Sequence, residues 1–297
     1  MLVPLMLAIG VLQADPGAAP EPDITAMAEG LAALETINRP AIVALPRLER
    51  MVEEGRLEEA RAGFLSWCGP TVQLACLRYE ALRLDAEAPE DPVEAREFYR
   101  QACEARIGPA CTRLGELLQS AQGGERELLS ARAAFRSGCE GQDVTGCVWF
   151  ADMLIGGIGG PVDREGAGVL TAAACRLGDP MGCYFYGIMR ERDGERDEAL
   201  IHYMFACRGG YERACLTQYV RQARAAASEE RFGDAYQHYA AACALNEGSR
   251  GLSCYRAAQF ATYPENPSAD PQISGQLMQR ACDLGVRRAC IALEDNL

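Results

Sequence analysis

A chain of 297 residues with a net charge of -13 has no electrostatic hold on nucleic acid or on an anionic membrane surface, since both need positive charge. Its make-up, 49% hydrophobic and 24% charged, is that of a soluble globular protein. All 29 basic residues are arginine, which excludes a Walker A loop, a Schiff-base lysine and a Ser-x-x-Lys nucleophile pair.

Residues 1–14 are expected to be an export signal. The stretch 2–12 is almost wholly apolar and too short to span a bilayer, and Leu12-Gln13-Ala14 resembles a small-residue cleavage site. The mature chain is then expected to begin near Asp15 and to reside in a periplasm or outside the cell. Residues 15–40 read as a flexible Pro/Ala-rich leader with a short helix over 24–36, whose Ile24, Met27, Leu31 and Leu34 share one side. Residues 41–56 read as an N-terminal capping helix, interrupted near Pro46 and ended by Gly55.

From residue 57 to the end, one unit recurs. Two cysteines mark it each time: Cys68 and Cys76, Cys103 and Cys111, Cys139 and Cys147, Cys175 and Cys183, Cys207 and Cys215, Cys243 and Cys254, Cys282 and Cys290. Seven residues separate the two, except between Cys243 and Cys254, where the loop is three longer. The first cysteines are spaced by 35, 36, 36, 32, 36 and 39 residues. A period near 36 means stacked supersecondary units and not one globular core. The expected units are 57–91, 92–125, 126–162, 163–195, 196–233, 234–271 and 272–297.

Within each unit, small residues stand eight before the first cysteine (Ala60, Ala95, Ala131, Ala167, Ala199, Ala235, Ser274). Four before it stand Phe64, Tyr99, Phe135, Thr171, Tyr203, Tyr239 and Met278. Offsets of four and three trace one face of a helix, small enough for close approach, with the aromatic filling the space beside it. Gly178, Gly210 and Gly285 then share the offset of a left-handed helix end. A second helix begins just before the second cysteine. Three past that cysteine, Tyr79, Leu114, Phe150, Tyr186 and Leu293 are expected to face inward, while Gln218 and Ala257 break the pattern. The expected fold is therefore all-α: an α/α solenoid of about seven antiparallel helix pairs.

Three readings of the cysteines compete. As local disulfides, each would close a loop of about nine residues, worth roughly 2–3 kcal/mol in the chain-entropy model. Structural zinc favours Cys-x2-4-Cys hooks and further ligands, and redox catalysis favours Cys-x-x-Cys. The spacing and the absence of an odd cysteine favour the first, one intra-repeat disulfide per unit, in an oxidising compartment.

The units resemble Sel1-like repeats, relatives of tetratricopeptide repeats. The segment Gly159-Gly160-Pro161-Val162-Asp163 followed by Ala167 is similar to that family's Gly-Val-x-x-Asp linker, and the Cys-x7-Cys in each unit resembles the Helicobacter cysteine-rich protein family. The first resemblance implies a binding scaffold. The second implies an alternative, penicillin binding with weak β-lactamase activity, but carries no catalytic residue over to this chain.

Candidate site residues are few. His202 and His238, each five before a first cysteine, occupy equivalent places on adjacent units and could hold a metal only with further ligands. Arg61, Arg96 and Arg132 stand seven before successive first cysteines, with Arg100 and Arg136 four further on. The five could form a basic stripe for a carboxylate or phosphate, or pair with Glu58, Glu94, Glu97 or Glu127. The leading expectation is a monomeric binding scaffold, with a β-lactamase-type hydrolase as the alternative if the chain is an enzyme. The scaffold would bind a protein or peptide on its concave surface, with no cofactor, metal, nucleic acid or membrane span.

Overall fold

The computed structural model describes residues 23–33, 39–69, 72–245, 250–267 and 269–294. The expected export signal over 1–14 lies outside them. The described residues form sixteen helices. Two precede the first cysteine, α1 (Ile24–Ala33) and α2 (Arg39–Glu53). The others pair off as α3 (Leu57–Trp67) with α4 (Gln73–Glu87), α5 (Pro92–Glu104) with α6 (Gly108–Ser120), and α7 (Leu128–Glu140) with α8 (Val144–Gly156). Then come α9 (Arg164–Arg176) with α10 (Pro180–Arg192), α11 (Arg196–Arg208) with α12 (Glu212–Ser228), α13 (Phe232–Ala244) with α14 (Gly251–Phe260), and α15 (Pro271–Asp283) with α16 (Arg287–Glu294). From α5 to α16 each helix packs on the next, and second helices also touch across units, α4 on α6, α6 on α8 and α8 on α10. This is a solenoid of helix pairs.

Local chemistry sets the helix starts. Asp91, Asp143, Asp163, Asp179 and Asp270 are N-caps whose carboxylates accept backbone N–H groups of the first turn. Pro92, Pro180 and Pro271 follow three of them, where a missing N–H costs nothing. The turn between paired helices needs one left-handed residue. Gly178, Gly210 and Gly285 supply it at φ 84°, 90° and 82°. The same offset holds Arg106 and Gln142 at φ 63° and 62°, so the turn is kept even where a side chain makes it costlier. Pro46 does not interrupt α2, which runs unbroken from Arg39 to Glu53 with the proline inside it. A proline removes one ladder bond, and this helix continues past the gap.

All seven cysteine pairs are disulfides, with S–S distances of 2.03–2.10 Å and Cα–Cα distances of 4.3–4.8 Å. Cys68 joins Cys76, Cys103 joins Cys111, Cys139 joins Cys147 and Cys175 joins Cys183. Cys207 joins Cys215, Cys243 joins Cys254 across the longer loop, and Cys282 joins Cys290. No cysteine is free. Each bridge clips the end of one helix to the start of its partner, within a unit.

At two junctions between units, the aromatic four before the first cysteine lies on a glycine of the preceding second helix. A Cβ on Gly115 would stand 2.6 Å from the Phe135 ring, and one on Gly187 2.7 Å from the Tyr203 ring. Three of the aromatics at this offset, Tyr99, Tyr203 and Tyr239, carry a hydroxyl, and at the first two a carboxylate meets it. Tyr99 donates to Asp85 at 3.0 Å and Tyr203 to Glu191 at 2.9 Å. Arg113 and Arg221 close the same two carboxylates from the following unit. Units 2 and 3 approach backbone to backbone, since a Cβ on Gly108 would lie 2.6 Å from the Gly141 carbonyl oxygen.

The inward-facing expectations need correction at four positions. Ala257 does not break the pattern: it is fully buried, its small side chain matched to the Tyr239–Phe260 stack beside it. Tyr79, Tyr186 and Leu293 are only half-buried, and beside Tyr186 its neighbour Phe185 takes the core position. Leu114 and Phe150 do face the core. The largest core cluster runs through units 2 to 4 and includes Met27 and Leu31 of α1.

Candidate functional site

On every first helix, the stripe one residue before the core stripe lies about 100° round the helix. It falls nine, five and two residues before the first cysteine. On α9 it reads Gly166, Leu170, Ala173; on α11 it reads Glu198, His202, Phe205. These two stripes meet opposite fates.

The α9 stripe is buried, with Leu170 and Ala173 at 0% and 1% exposure. What lies against it is α1, which packs on α9 and α7. A Cβ on Gly166 would stand 3.1 Å from Ile24 Cγ1, and one on Gly30 would stand 3.5 Å from Gln142 Nε2. Helix α1 therefore runs from the start of α9 towards the turn after α7. Met27 and Leu31 are buried beneath it.

The α11 stripe instead lines an open cleft of about 550 Å³ between α9, α10 and α11. The Cys175–Cys183 disulfide lies in its lining. Tyr186 and His202 meet edge to face at 4.6 Å between ring centroids, and the Arg190 guanidinium lies over Tyr186 at 5.5 Å from its centroid. His202 Nδ1 is 3.6 Å from Cys175 Sγ, and its Nε2 is 3.6 Å from Glu198 Oε1. Phe205, 58% exposed, stands at the rim with Glu198 and Arg176. An apolar floor, aromatic walls and a few polar groups on one edge make a recognition site for a side chain or a short chain segment. His238 sits at the equivalent place on α13. Among the described residues, no group of three or more His, Cys, Asp or Glu is arranged to hold a metal ion.

The five arginines are dispersed among intramolecular partners. Arg96 is buried, its guanidinium donating to the Glu127 carboxylate at 2.5 Å and to the Glu125 carbonyl at 3.3 Å. Arg132 donates to the carbonyls of Met153, Ile158 and Pro161, at 3.5, 3.2 and 2.8 Å. Each thus ties down the glycine-containing loop at the end of its own unit, Gly123-Gly124 and Gly159-Gly160. Burial pushes the Arg132 guanidinium below its ordinary pKa, partly offset by Asp163. Arg61 pairs with Glu58, Arg100 with Glu97 and Arg136 with Glu140, all one turn away on the same helix.

The sequence marks the cleft between α9 and α11 at two positions: His202, whose offset from the cysteine lies on the stripe, and Phe205, an aromatic where the neighbouring units have Ala173 and Ala241.

No protein-family model matches the sequence, and no curated protein does. Solved structures do. The Sel1 repeat protein of Oxalobacter formigenes superposes with a TM-score of 0.54 at 16% identity, over 80% of this chain and 96% of that one. The protein c5321, a protective antigen of uropathogenic Escherichia coli with an SLR fold, superposes with a TM-score of 0.50 at 19% identity, over 80% of this chain. This chain spans 59% of c5321's length. At such identities the likeness establishes the fold, and that fold is the Sel1-like repeat array.

Proposed function

We propose that this chain is an exported, disulfide-clipped scaffold that holds a protein or peptide partner in the cleft between α9 and α11. The observation that carries this reading is the cleft's lining. Exposed Phe205 and half-buried Tyr186 stand over a disulfide, with Glu198, His202 and Arg176 supplying direction. An aromatic left 58% exposed at the rim of a cleft costs solvation and gains nothing for folding. A helical repeat array is suited to such capture, because it presents a long surface built from equivalent positions. Export is supported by the seven disulfides, which persist in oxidising compartments. Among the described residues, no helix is long and apolar enough to cross a membrane.

Selection from a random peptide library on the oxidised chain tests the reading. Enriched peptides should bind saturably, and Phe205→Ala and Tyr186→Ala should each weaken them by about tenfold, the loss of one buried aromatic anchor. Absence of saturable binders, or binders indifferent to both changes, would refute it.

A further inference from the structure

The open cleft and the seat of α1 are the same site in successive units. Gln142 stands three after Cys139, as Gly178 stands three after Cys175; Gly166 stands nine before Cys175, as Glu198 stands nine before Cys207. Helix α1 touches Gln142 and Gly166, and the cleft is lined by Gly178 and Glu198. The positions beside them correspond too: Phe150, in one core cluster with Met27 and Leu31, stands three after Cys147, as Tyr186 of the open cleft stands three after Cys183. Where α1 lies, the stripe is buried; on the open cleft, Phe205 is exposed.

Resting on the reading above that the cleft binds a partner, we propose that its ligand is a short amphipathic helix, seated between α9 and α11 as α1 is seated between α7 and α9. The chain's own helix specifies that ligand. Ile24, Met27 and Leu31 follow the i, i+3, i+7 spacing of one helix face. Two large apolar anchors four apart would fill the cleft against Tyr186, Phe205 and the disulfide, as Met27 and Leu31 fill the occupied groove. The position of Ile24 must differ. In the occupied groove it meets Gly166, which has no side chain. In the open cleft it meets the Glu198 carboxylate, with His202 beside it. A partner helix therefore carries Lys or Arg one turn ahead of its first apolar anchor.

The test uses the full oxidised chain and a fluorescein-labelled peptide of the α1 sequence, residues 23–33, carrying Ile24→Lys. This peptide should bind saturably and become helical on binding, seen in its NMR shifts. Phe205→Ala should weaken it by about tenfold or more. Glu198→Arg should weaken it likewise and restore a second peptide carrying Ile24→Glu, a reversal that a misfolded variant could not produce. Binding indifferent to both Phe205 and Glu198 would mean that the peptide displaces α1 from its own seat, and would overturn the proposal. If library-selected peptides occupy the cleft in extended form and the helical probe neither binds nor competes, the helix proposal fails while the scaffold reading stands. If no peptide of either kind needs Phe205, both fail.

Discussion

Ile24 of the first helix stands against Gly166 of α9, close enough that a Cβ on the glycine would lie 3.1 Å from its Cγ1. The two are far apart in the chain, whereas almost every other helix contact joins near neighbours in sequence. Helix α1 lies before the first cysteine, so no disulfide clips it. Its hold on the array is the burial of Met27 and Leu31 with partial burial of Ile24 and Ala28.

Leu31→Ala should accordingly release α1 without unfolding the array. Truncating a fully buried leucine costs about 2–5 kcal/mol, which is on the scale of docking one short helix. Hydrogen exchange should show α1 amides losing protection while those of α8 and α10 keep theirs. Uniform loss of protection would contradict this division.

The clips should add stability one by one. Replacing Cys103 and Cys111 together by alanine should lower unfolding free energy by about 2–3 kcal/mol, the entropy of one short closed loop. Peptide mapping of the untreated chain should yield seven local bridges and no alkylated thiol.

Gly108→Ala should destabilise the junction of units 2 and 3 by about 1–3 kcal/mol, because the added methyl meets the Gly141 carbonyl at 2.6 Å and backbone cannot step aside. Gly275→Ala, where nothing lies within 4 Å, is the matched control and should cost nothing in urea unfolding.

The arginines should divide by where their guanidiniums go. Arg132→Ala strands the loop carbonyls of Ile158 and Pro161 and should cost about 1–3 kcal/mol. Arg100→Ala removes only an exposed pair on one helix and should leave the unfolding midpoint where it was.

Asp143 sets a pH dependence. Burial raises its pKa above the ordinary carboxylate value, while the Thr112 hydroxyl at 2.5 Å, the Gly146 N–H and the Arg78 charge pull the other way. The folded chain thus holds this proton longer than the unfolded one. Its stabilising contribution is full below the unfolded pKa of about 4 and is lost as pH rises through the raised folded value. Urea unfolding from pH 4 upward should show the wild type losing stability relative to Asp143→Asn, with the difference levelling off once the aspartate is ionised.

What the sequence determined by itself was everything that repeats within a unit. The cysteine spacing announced the bridges, because residues eight apart across a helix end and a helix start are brought together by local geometry alone. The Ala and aromatic offsets announced the core stripe, and Gly178, Gly210 and Gly285 announced a left-handed turn that Arg106 and Gln142 then adopt without glycine. Only the tertiary structure decided what each repeated surface meets. It paired Arg96 with Glu127, turned Arg132 onto loop carbonyls, laid α1 over Leu170, and left the same stripe open at Phe205. Helical period places a residue on a face, but burial of that face depends on a segment arriving from elsewhere in the chain. No offset within a unit carries that information.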